Sequence, residues 1–168
     1  ANVAYFGTFG YELDLNLLSD AEMASVKKQI AFMKEYRELI QIDGDFYRLL
    51  NPFEGNETAW MVVSQDKTQA VAALYQRLNK VNASWLRLKL EGLDPDAKYQ
   101  VSCDLTPSSS FDTELAKRYG YDTEGNQVKT YEAYGDELMR AGIPVDRQEL
   151  NKKGGDFASL LYTIKKVD

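Results

Sequence analysis

The stretch Trp85-Leu86-Arg87-Leu88-Lys89-Leu90 alternates leucine with tryptophan, arginine and lysine at a period of two. That spacing marks a strand with one buried face and one wet face. Working outward from it, Phe46 to Leu50, Ala59 to Val63, Val71 to Leu78, Tyr99 to Asp104 and Ala158 to Ile164 are further short, strand-like runs. Chain-reversing sequences separate several of them: Asp43-Gly44-Asp45, Asn51-Pro52, Glu54-Gly55-Asn56 and Gly92-Leu93-Asp94-Pro95-Asp96. Gly flexibility, Pro restriction and Asx hydrogen bonding favour turns at these points. Many short strands at this spacing predict a mainly β fold, an antiparallel sandwich or barrel. Between the late strands, Thr106 to Tyr134 reads as an excursion, with a flexible Pro107-Ser108-Ser109-Ser110, a helical turn over Glu114 to Arg118 and a hairpin tip at Asp122 to Asn126.

Before the strands the period is helical. Ser19-Asp20-Ala21-Glu22 is a capping box, in which Ser19 caps the backbone and Glu22 reaches back to it. Met23, Val26, Ile30 and Met33 recur at steps of three and four, and Phe32, Tyr36, Leu39 and Ile40 extend the stripe. A helix to about Arg37 follows, with an apolar face wide enough to need a partner. Further upstream, Tyr5 to Leu15 alternates aromatic with small residues. This is either a strand whose glycines admit another backbone or a ligand, or a short apolar strand ending in a loop. The chain opens without Met and with Val3 to Phe9 already apolar, as if inside a structural element.

Composition bounds the chemistry. The 168 residues are 44% hydrophobic and 27% charged, with 20 Lys plus Arg against 26 Asp plus Glu and a net charge of -6. A chain of this size buries roughly 70% of its unfolded surface, so a core needs no disulfide or metal. The absence of histidine excludes His-based triads, His general bases, His-liganded zinc and proximal-His haem. The single cysteine, Cys103, cannot form an intrachain disulfide or a CxxC site, and fits a reducing, cytoplasmic location ahead of a Cys-poor secreted domain. Basic residues come in scattered pairs (Lys27-Lys28, Lys152-Lys153, Lys165-Lys166), which argues against nucleic acid. No apolar run approaches the roughly 18 residues of a membrane span. Asn56-Glu57-Thr58 and Asn82-Ala83-Ser84 match the glycosylation sequon, a pattern frequent by chance.

Glu12 and Asp14, two apart on one face of a strand, would place their α-carbons about 6.6 to 6.8 Å apart, and paired carboxylates can serve as acid and base in glycoside hydrolysis. Acidic residues at a strand end also serve simply as hydration or helix-entry charges. Asp43 and Asp45 read as turn residues. Tyr119, Tyr121, Tyr131, Tyr134 and Trp85 could make a sugar-stacking platform, or act as strand formers. No phosphate loop or dinucleotide fingerprint is present.

Several blocks read together resemble the C-terminal end of bacterial alpha-galactosidases of glycoside hydrolase family 36, the melibiases. They are Phe6-Gly7-Thr8-Phe9-Gly10-Tyr11-Glu12-Leu13-Asp14, Ile30-Ala31-Phe32 with Tyr36-Arg37, and Gly44-Asp45-Phe46-Tyr47-Arg48-Leu49. Trp60-Met61-Val62-Val63, Gly92-Leu93-Asp94-Pro95, Tyr134 to Met139 with Ala141-Gly142, and Gly155-Asp156-Phe157 complete the set. The resemblance implies that residues 1–37 are the last strand and helix of a catalytic (β/α)8 barrel and residues 38–168 an antiparallel β-sandwich. It also implies a retaining mechanism with two aspartates on earlier barrel strands, neither matching a position here, and no metal or organic cofactor. Glu12 and Asp14 match neither catalytic motif, and no catalytic residue is assigned.

The implied parent hydrolyses terminal alpha-galactosides of melibiose or raffinose type, with the sandwich packed on the barrel of the same chain. Phe6, Phe9, Met23, Val26, Ile30 and Met33 are then interdomain or self-association contacts, and a homo-oligomer is expected. Two rival readings are a carbohydrate-binding module using exposed Tyr and Trp, and a small glycosidase using Glu12 and Asp14.

Overall fold

The computed structural model describes residues 1–80, 85–104, 128–145, 150 and 156–167. Among the described residues eight strands form a mainly antiparallel β structure: β1 (Asp45–Leu50), β2 (Glu57–Val63), β3 (Gln69–Gln76), β4 (Arg87–Leu88), β5 (Lys98–Asp104), β6 (Val128–Tyr134), β7 (Ile143–Pro144) and β8 (Ser159–Lys166). The six-stranded sheet runs β1-β2-β3-β8-β5-β6, and β4 pairs with β7 in a separate two-stranded ribbon. Every pairing is antiparallel. Among the described residues the strands are accompanied by helices α1 (Asp20–Glu38) and α2 (Gly135–Arg140).

The period-two pattern sorts the strands into two faces. Ala59, Met61, Val63, Ala70, Ala72, Leu74, Tyr99, Val101, Leu160, Tyr162 and Ile164 point to one side of the large sheet. There they meet Leu88, Leu90, Leu138, Ile143 and Val145 from the ribbon and α2, which makes the main core of the sandwich. The leucine alternation holds in detail: Leu88 and Leu90 are buried while Trp85, Arg87 and Lys89 are exposed. Only Arg87 and Leu88 pair as strand, because the partner β7 is itself two residues long. On the opposite side, Val62 and Val71 meet Tyr36 and Leu39, flanked by Phe6, Phe32, Ile40 and Leu161, so α1 supplies a second, smaller core.

The capping box forms as expected. Glu22 N donates to Ser19 Oγ (3.3 Å), while Ser19 Oγ (2.7 Å) and Ser19 N (2.9 Å) both donate to Glu22 Oε2 and so lower the Glu22 carboxyl pKa. Past Glu38 the helix widens into a π-helical turn, Leu39–Asp43, closed by Gly44 N donating to Leu39 O at 3.0 Å. A side chain on Gly44 would place its Cβ 2.1 Å from Val62 Cγ1 and 2.3 Å from Leu39 O. Glycine is therefore required for helix and sheet to approach. Gly92, at φ +76°, turns the chain beneath Tyr47, whose ring would lie 2.6 Å from a Cβ there.

Two local expectations differ from what is found, the strand over residues 5–15 and the excursion through Tyr134, whose end is strand β6. Residues 5–15 form no strand: Ala4–Phe6 and Leu15–Leu17 are 3-10 turns with irregular backbone between them. A strand needs a hydrogen-bonding neighbour, and none of the described residues pairs with this stretch. Asn56, read as a sequon, is buried, with Nδ2 donating to Leu78 O and Oδ1 accepting from Leu78 N at 3.1 Å. Its amide is structural. The second sequon, Lys152-Lys153 and the expected features of residues 105–127 lie outside the described residues.

Candidate functional site

The N-terminal segment folds back on α1 and is pinned there by its aromatic rings. Tyr5 is buried with its ring 4.6 Å from Phe32 and 5.2 Å from Phe9. Phe6 meets Trp60 edge-on at 5.9 Å. Polar ties complete the attachment: Gln41 Nε2 donates to Gly7 O (2.5 Å), Asn2 Nδ2 to Ser159 Oγ (3.0 Å) and Tyr75 OH to Asn2 O (2.7 Å). Burial raises the Tyr75 pKa, which keeps its hydroxyl a donor. The helix is tied to β8 through Lys165, which pairs with Glu35 at 3.1 Å and stands 5.5 Å from the centre of the Tyr36 ring.

Between segment and helix lies an open groove of about 600 Å³. Phe6, Phe9, Ile30, Met33 and Ile40 supply its apolar walls, with Lys34 and Arg37 among the lining residues. Four of the six apolar residues singled out from sequence, Phe6, Phe9, Ile30 and Met33, are therefore brought together. Met23 and Val26 are half-buried nearer the start of the helix and do not line the groove. Leu13, Leu15 and Leu17, up to 82% exposed, are not among the groove's lining residues.

Among the described residues that line the groove none is a carboxylate. Glu12 and Asp14 are both exposed, and Asp14 Oδ1 accepts from Asn16 N and Asn16 Nδ2, each at 2.9 Å, as the cap of a 3-10 turn. A paired acid and base on one strand face is not assembled. Nor are the described members of the tyrosine platform, Tyr131, Tyr134 and Trp85, gathered. Tyr131 turns toward the main core with its hydroxyl buried, whereas Tyr134, three residues along the same strand, faces away and is 53% exposed. Trp85 stands 94% exposed at the entry to β4, and Tyr119 and Tyr121 are outside the described residues. Among the described residues no group of three or more acidic or cysteine side chains could hold a metal, and no helix is long and apolar enough to cross a membrane.

Comparison with known proteins accounts for this geometry. The family model described as Glycosyl hydrolase family 36 C-terminal domain matches residues 57–164, and the one described as Melibiase matches residues 1–43. Alpha-galactosidase AgaA of Geobacillus stearothermophilus is 39% identical over 166 residues, 99% of this chain and 18% of that protein. The crystal structure of the GH36 alpha-galactosidase AgaB from the same organism superposes with a TM-score of 0.73 at 39% identity, covering 98% of this chain and 18% of that one. A variant of AgaA solved in complex with raffinose gives a TM-score of 0.73 at 38% identity, with the same coverage of 98% and 18%. The chain thus spans less than a fifth of these relatives. A two-layer antiparallel fold, carrying a helix and an apolar segment on its outer face and matched over more than half its length by the family model, belongs to glycosyl hydrolase family 36 as its C-terminal domain.

Proposed function

We propose that this chain is the non-catalytic C-terminal part of an alpha-galactosidase whose parent enzyme hydrolyses terminal alpha-galactosides of melibiose or raffinose type by a retaining mechanism. In the parent, residues 1–37 take the place of the last strand and helix of the catalytic barrel, residues 5–15 forming the strand only beside a neighbouring barrel strand, and residues 38–168 are the sandwich that packs on it. The observation that carries this reading is the apolar groove, with no carboxylate among its described lining residues, built by the segment that the melibiase family matches. Phe6, Phe9, Met23, Val26, Ile30 and Met33 are its contacts with the rest of the barrel, or with a second copy when the barrel is absent. Raffinose bound to the AgaA variant supports the substrate class. Retaining hydrolysis uses two carboxylates and needs no cofactor. A single, buried Cys103 supports a cytoplasmic parent.

The test is to place this chain in AgaA in exchange for the matching 166 residues. The chimaera should hydrolyse nitrophenyl alpha-galactoside, and the 168-residue chain alone should not. Turnover by the isolated chain, or an inactive but folded chimaera, would overturn the reading.

A further inference from the structure

We draw no further inference here: the strongest candidate, the aromatic patch on the outer face of the large sheet where exposed Phe46 lies 6.5 Å from Trp60, runs through Phe6 into the groove already described, and nothing in the structure shows what covers it.

Discussion

Replacing Asn56 by Ala should destabilise the chain by about 2 kcal/mol. Asn56 is 7% exposed and its amide satisfies both the N–H and the C=O of Leu78. Deleting it removes two bonds, each contributing about 0.5–1.5 kcal/mol net, and leaves two backbone groups without their partner. Full burial of those orphans would cost more. Leu78 is 54% exposed, so water can reach part of the site, and the total stays near the lower end.

For a domain of this size about 2 kcal/mol corresponds to a fall of about 4–8 °C in melting temperature, readable by circular dichroism. Asn56→Asp separates the two bonds. The carboxylate keeps the acceptor for Leu78 N but faces Leu78 O with no proton to donate, so its pKa should be raised in the folded state. Its stability should then recover as pH falls through that raised value and protonation restores a donor. A melting temperature within 1 °C of the parent for Asn56→Ala, or an Asn56→Asp defect that does not lessen in acid, would refute the clamp.

Deleting residues 1–37 should leave a cooperative unfolding transition, because every residue of the main core lies between 59 and 164. Val62 and Val71 lose part of their cover, costing a few kcal/mol, and a molten, dye-binding product would place the domain boundary elsewhere. The intact chain should self-associate through the groove. Light scattering should show this association weaken in Phe6→Ser/Phe9→Ser, and a chain that stays monomeric at high concentration would contradict it. Asp66, which accepts from Ser64 Oγ and Thr68 N, has its pKa lowered to about 2 by those bonds. Its contribution to the β2–β3 turn is present above the usual carboxylate range and lost as pH falls through about 2. Amide exchange at Thr68 should accelerate over that interval, and Asp66→Asn should flatten the profile.

Much of this fold is legible locally. The Ser19–Glu22 box and the Met23-Val26-Ile30-Met33 spacing need only neighbours three and four residues away, and helix α1 begins and runs as they indicate. The turn sequences at residues 43–45, 51–56 and 92–96 fall at element boundaries for the same reason. The alternation of residues 85–90 predicts which side chains are buried even where the strand itself is short. Strand β6, with Tyr131 and Ala133 inward and Thr130 and Glu132 outward, carried a similar alternation, but it lay inside a stretch read as an excursion.

What the chain alone determined is periodicity, capping and turn chemistry, because those interactions are short in sequence. Tertiary structure decided the rest. The insertion of β8 between β3 and β5 joins residues far apart in the chain, and alternating strands carry no label for their partners. The role of Asn56 depends on Leu78, the faces taken by Tyr131 and Tyr134 depend on strand register, and the conformation of residues 5–15 depends on whether a neighbouring strand is present to accept their hydrogen bonds. Each is settled by a partner distant in sequence, which local pattern does not specify.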